Sequence, residues 1–232
     1  MKTVILSTLA ATAPLLTAAT LIDPSAITGH HQGDSLSGSG SILTTTNKAG
    51  ITQTGGADSP VTWTHNSAWQ NDWQGNQLSG ATNSKLGWAV IDFGSTQTQL
   101  GEMLLWNVNE GSHSGRGMNA FNIYFATSPS VSAPAISATP TDYDFSSGGW
   151  TQLGATRNLT RADESGVNAL DGSFDLSSIA SAQYIGIEIL STHGENDRAG
   201  FAEVVFTAVP EPSSISLLGL GSLTLLLRRK RR

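Results

Sequence analysis

The chain has 232 residues, 38% of them hydrophobic and only 13% charged, with 25 Gly, six Trp and no Cys. That much apolar surface excludes a disordered chain. The missing thiols exclude a disulfide scaffold, a thiolate zinc site and a cysteine nucleophile. Lys2 and the closing run Arg228, Arg229, Lys230, Arg231 and Arg232 take half of the twelve basic residues, so positions 20–209 hold six basic against seventeen acidic residues, a net of −11. Such a body repels phosphate backbones, and no nucleic-acid partner is expected.

In chain order, Lys2 and the uncharged, largely apolar run from Val4 to Ala19 predict a secretory signal peptide over 1–19, cut after Ala19 where Thr17-Ala18-Ala19 supplies small residues. His30 and His31 follow in a Gly- and Ser-rich stretch that reads as flexible. Trp63, Trp69 and Trp73 cluster with His65 and Asp72. In a sandwich such Trp residues are core, and the functional alternative is stacking on sugar rings.

From there the period is two rather than 3.6. Strands are predicted at Trp88–Phe93 and Gln99–Trp106 around a Gly94-Ser95 turn, and then at Phe121–Ala126, Trp150–Leu153, Tyr184–Leu190 and Phe201–Phe206. Ile185, Ile187 and Ile189 face one way and Gly186 and Glu188 the other, as in a half-buried strand. Ser128 to Thr141 carries three prolines and reads as a loop. The expectation is an all-β protein, an antiparallel β-sandwich of the jelly-roll kind, in a single domain over 22–208.

The tail begins with Val209-Pro210-Glu211-Pro212, continues through the uncharged segment 213–227 and ends in the basic run. As a helix the uncharged piece spans roughly 22 Å, short of the roughly 30 Å hydrocarbon core. It predicts a short C-terminal hydrophobic helix and a transient inner-membrane association, with Arg228 and Arg229 on the cytoplasmic side. The order of Pro210, Glu211 and Pro212, short span and Arg cluster resembles the PEP-CTERM sorting signal of Gram-negative bacteria. The resemblance implies secretion, tail removal by an exosortase, and a place on the cell surface or in the extracellular matrix of an exopolysaccharide producer.

The body also has a family likeness. GWAVIDFGS (87–95), the Trp-Asn-x-Asn-Glu and Arg-Gly pattern of residues 106–128, Trp150–Leu153 and GFAEVVF (200–206) together resemble discoidin-like, galactose-binding-like jelly rolls. Phe93, Phe201 and Ala202 depart from the usual residues. The likeness covers roughly residues 60–207 and implies a non-catalytic module that binds carbohydrate or lipid. It also implies a calcium ion held by Glu203 in the last strand and a loop oxygen from Asp72, since hard oxygens suit calcium.

The best candidate binding surface is the loop Asn107–Gly117. Asn107, Asn109, Glu110 and His113 offer hydrogen bonds of the kind that meet sugar hydroxyls, and Arg116 adds a fork of donors. The alternative is that Glu110 and Arg116 pair to hold the loop shape. A second polar loop, Ser191–Gly200, carries His193, Glu195, Asp197 and Arg198. If the two loops meet at one end of the sandwich they form a single mouth. No nucleophile elbow or zinc-protease motif occurs, and nothing singles out a carboxylate pair such as Glu110 with Glu195 for hydrolysis. The sequence therefore points to an exported, non-catalytic protein that binds carbohydrate of the exopolysaccharide. The alternatives are a purely structural surface protein and a glycan hydrolase.

Overall fold

The computed structural model describes residues 19–35, 39–80, 86–130, 132–195 and 197–209. The predicted signal peptide, apart from Ala19, lies outside the described residues, as does the tail with Pro210, Glu211, Pro212, segment 213–227, Arg228 and Arg229. No helix among the described residues is long and apolar enough to cross a membrane.

The body opens with strands β1 (Thr20–Ile22) and β2 (Ala26–Gly29), followed by β3 (Ile51–Thr52), β4 (Thr64–Asn66) and β5 (Trp73–Asn76). The long strands β6 (Gly87–Gln97), β7 (Leu100–Trp106) and β8 (Ala120–Ala126) come next. Then come β9 (Thr151–Gln152), β10 (Arg157–Asn158), β11 (Val167–Asn168), β12 (Gly172–Asp175), β13 (Ala182–Ile189), β14 (Arg198–Phe201) and β15 (Glu203–Ala208).

Two antiparallel sheets face each other. One runs β1-β15-β7-β12, and the other runs β10-β8-β13-β6-β2 with β9 on β8. Alternation builds the core between them, because every second side chain of a strand falls on the same face. Ile185, Ile187 and Ile189 of β13 are fully buried there beside Ala89 and Ile91 of β6. Edge-on ring pairs join the sheets, Phe93 against Phe206 at 5.0 Å and Phe121 against Phe174 at 5.1 Å. The all-β antiparallel sandwich expected from the sequence is the one observed.

Four details differ from expectation. The chain does not turn at Gly94-Ser95. β6 continues to Gln97, and Gly94, at φ 73°, lies within it, where the register with β13 shifts between Tyr184 and Ala182. The predicted strand Phe201–Phe206 is two strands that part at Ala202, β14 pairing with β5 and β15 with β7. Here Gly200 is required by close approach, since a Cβ would stand 1.8 Å from the Trp73 carbonyl oxygen. His30 and His31, expected in a flexible stretch, are buried. The His30 ring lies 4.9 Å from that of Trp73, and Trp88 N–H donates to its Nδ1 at 3.1 Å.

Finally, the outer face of the five-strand path is covered rather than solvated. Residues 127–130 and 132–150 fold back over it, so that Tyr143, Phe145 and Trp150 close on Trp88, Val90 and Tyr124 as a second apolar cluster. A third cluster, Trp63, Leu104, Trp106, Ala202 and Val205, covers the outside of the other sheet. Trp63 and Trp73 are thus core residues, while Trp69 is exposed.

Candidate functional site

β7 ends at Trp106 and β8 starts at Ala120, so the loop between them leaves one end of the sandwich; the loop that follows β13 leaves the same end, because β13 and β8 are antiparallel neighbours. The two polar loops do meet. His193 N–H donates to Gly117 O at 3.2 Å and Glu195 N–H to Gly115 O at 3.2 Å.

Arg116 is the tie between them. Its Nη1 donates to Gln74 Oε1 at 3.1 Å and its Nη2 to Asp197 Oδ2 at 3.0 Å, while Nε lies 3.2 Å from Glu195 Oε2. Glu110 lies 3.6 Å from the same guanidinium and accepts from Gln74 Nε2 at 2.8 Å. A planar fork with five donors suits this arrangement, and lysine would not reproduce it. Burial pushes the Asp197 carboxyl up, but the charge and hydrogen bond of Arg116 outweigh that and leave it below its usual range. The Arg116 side chain keeps only 15% of its surface, so it organises the rim from beneath. What faces solvent is His113, with Nδ1 3.1 Å from Glu195 Oε2, and Asp197, whose side chain is 56% exposed.

The other sequence candidates lie deeper. Asn107 is fully buried and donates through Nδ2 to Met118 O at 2.8 Å and Thr160 O at 2.9 Å. Asn109 is fully buried too and donates to Ser165 O at 3.0 Å. Both amides are thereby withdrawn from the solvent-facing rim where a surface ligand would meet them, and they lace this loop to the 159–166 segment. His193 turns Nε2 to Leu159 O at 3.0 Å, and burial pulls its pKa down. Sequence reasoning missed Gln74, Arg161 and Glu164. The last two join the cluster through Ser114, which donates to Glu164 at 2.5 Å and accepts from Arg161 Nε at 2.7 Å. Their distance along the chain hid them, since no local pattern marks a residue that reaches a loop 50 positions away.

Asp72 and Glu203 flank the paired residues Trp73 and Phe201 of β5 and β14. Asp72 accepts from Asn109 N–H at 3.0 Å and faces His65 Nδ1 at 3.7 Å; burial raises its carboxyl to about 7. Glu203 is fully buried, accepts from Lys48 N–H at 3.2 Å through Oε1, and leaves Oε2 without a partner among the described residues; burial pushes its pKa well above the usual range. Glu203 fits a hard cation. Asp72 offers a second such oxygen, since its buried Oδ1 likewise has no hydrogen-bond partner among the described residues. No group of three His, Asp or Glu able to hold a metal occurs among the described residues.

Residues 208–232 match the PEP-CTERM protein-sorting motif, which marks the chain as an exported, sorted protein. No curated protein matches the chain significantly. Among solved structures, a family 32 CBM from C. perfringens NanJ in complex with galactose is similar at 11% identity and a TM-score of 0.45, over 82% of this chain and 98% of that one. CBM32-3 from a family 31 glycoside hydrolase of Clostridium perfringens is similar at 16% identity and a TM-score of 0.44, over 82% and 95%. A Streptococcus pneumoniae fucose binding module is similar at 13% identity and a TM-score of 0.41, over 82% and 96%.

Proposed function

We propose that the protein is exported, is sorted and trimmed by an exosortase through its tail, and acts at the cell surface or in the matrix as a non-catalytic module whose loop end binds carbohydrate of the exopolysaccharide. The observation that carries this reading is the single rim that Arg116 makes of two polar loops, with the hydrogen-bonding groups of His113, Glu195 and Asp197 at its surface. A shallow rim of this kind contacts one or two sugar units and binds weakly at each site. A hydrolytic reading has less support, because Glu110 and Glu195 both turn onto one guanidinium instead of facing each other across an open cleft.

On a glycan array, the folded protein is expected to retain at least one neutral glycan. The double variant His113→Ala, Asp197→Asn is expected to bind it roughly tenfold more weakly. A folded protein without any hit favours the purely structural surface protein. New reducing ends released from the host's polysaccharide would favour a hydrolase.

A calcium role rests on Glu203 and Asp72, each of which has a buried, unpartnered carboxylate oxygen. A divalent cation there would neutralise a carboxylate that burial disfavours. Calcium at a hundredfold excess over its Kd is expected to stabilise the fold by about 2.7 kcal/mol, raising the thermal midpoint by several degrees. Glu203→Gln is expected to abolish that response. A midpoint indifferent to calcium and chelator in the unsubstituted protein dismisses the ion.

A further inference from the structure

On the outer face of the five-strand path, away from the loops, the returning residues 127–130 and 132–150 leave a pocket of about 240 Å³ against the sheet. Tyr184 of β13 and Asp92 of β6 sit opposite each other in register at its floor, and Tyr143, Trp150 and Ser132 of the returning segment close it. Tyr184 lies five residues before Ile189, where β13 delivers its chain to the loop end, which puts about 17 Å of strand between the two places.

The pocket has two chemical sides. Trp150 is held by its Nε1 donating to the Tyr143 hydroxyl at 3.0 Å and by an edge contact with Phe145 at 5.1 Å, yet remains part-exposed. Tyr184 is part-exposed as well, and its hydroxyl accepts from Gln183 Nε2 at 3.1 Å. Opposite these rings, Asp92 uses Oδ1 for Gly94 N–H at 2.7 Å and for Gln183 Nε2 at 3.1 Å. Its Oδ2 has no hydrogen-bond partner among the described residues, and Asp92 forms no ion pair among them. A wholly apolar ligand would strip water from that carboxylate with nothing in return. An anionic ligand would set like charges together. A pyranose satisfies both sides, with C–H groups for the aromatic rings and hydroxyl donors for the carboxylate.

We propose that this pocket is a second glycan site that takes one neutral pyranose ring, packed against Trp150 and Tyr184 with a ring hydroxyl donating to Asp92 Oδ2. The site is independent of the loop end. With it the module engages two places on a polysaccharide, so two weak contacts on one chain reinforce each other.

The test titrates the purified protein with the methyl glycosides of glucose, galactose and mannose, with methyl glucuronoside, and with tetramethylammonium chloride, and reads Trp fluorescence and saturation-transfer NMR. At least one neutral glycoside is expected to bind, and the glucuronoside at least tenfold more weakly. In the His113→Ala, Asp197→Asn background, Ala26→Phe, which fills the pocket from the exposed side of β2, and Asp92→Asn are each expected to weaken the neutral glycoside tenfold or more. Asp92→Asn is also expected to narrow the gap to the glucuronoside. The His113→Ala, Asp197→Asn variant is expected to leave this binding in place. Should Asp92→Asn fail to fold, Ala26→Phe decides alone, because Ala26 is exposed on an edge strand. The proposal is overturned if no neutral glycoside binds, if only tetramethylammonium binds, or if binding by the His113→Ala, Asp197→Asn variant survives Ala26→Phe. Binding that survives Ala26→Phe but is lost in the His113, Asp197 variant leaves the loop end as the glycan site.

Discussion

Replacing Trp73 by alanine is expected to cost the fold about 3–5 kcal/mol and, at roughly 2–4 °C per kcal/mol for a body of this size, to lower the thermal midpoint by about 6–20 °C. The residue is fully buried, its Nε1 donates to His31 O at 2.7 Å, and its ring meets Phe201 edge-on at 5.3 Å. Truncation therefore opens a cavity and leaves a buried carbonyl without its donor, two separate penalties. It also loosens the pairing of β5 with β14, because Trp73 and Phe201 are direct cross-strand partners. Trp69→Ala is the contrast. That ring is 39% exposed, and its loss is expected to cost about 1 kcal/mol or less. Thermal melts followed by circular dichroism separate the two, and a Trp73→Ala midpoint no lower than that of Trp69→Ala would remove Trp73 from the core.

The second large effect is acid sensitivity. Burial pulls the His30 pKa down to about 4, against an opposing contribution from the Trp88 backbone, and His31 nearby lowers it further. The neutral ring accepts from Trp88 N–H, and a protonated ring cannot. The unfolded chain takes up that proton near 6.5. The stability from the neutral ring is therefore complete above pH 6.5 and is lost as pH falls from 6.5 to about 4, on the order of 3 kcal/mol. Asp72, at about 7, and Asp171, at about 6, run the other way: their folded forms favour the proton, so they weaken the fold as pH rises between the unfolded value near 4 and their own. The measurement that isolates His30 is the difference in unfolding free energy between the protein and His30→Gln. That gap is expected to be wide at pH 7 and to shrink by about 3 kcal/mol at pH 4. A gap of equal width at both values would refute the assignment.

His30 also shows where sequence reading runs out. Gly29, Gly33 and the serines around it have the composition of a mobile linker, but at Gly75 and Gly87 a side chain would collide with the His30 ring. Those two positions lie more than forty residues away, and nothing local announces them. The alternation of Ile185, Ile187 and Ile189 was legible because it needs only the pleat of one strand. The cover over the sheet's other face was not, since Tyr143, Phe145 and Trp150 follow a Pro- and Ser-rich run that has no period. The same holds at the loop end. Asn107, Asn109 and Asp197 look alike as polar loop residues. Their depth is decided by Thr160 and Ser165 for the first two and by Arg116 for the third, so polarity located the loops but did not sort buried ties from surface groups.

The two ends of the body lie side by side, Thr20 of β1 pairing with Ala208 at the finish of β15. β15 starts at Glu203 beside Trp106, where the Arg116 loop departs, and ends at Ala208 about 17 Å away, where the sorting motif begins. The chain thus enters and leaves the body at one corner, and the rim tied by Arg116 occupies the opposite pole. Anything that holds the chain beyond Val209 therefore meets the body at that corner and lies a full strand length from the rim.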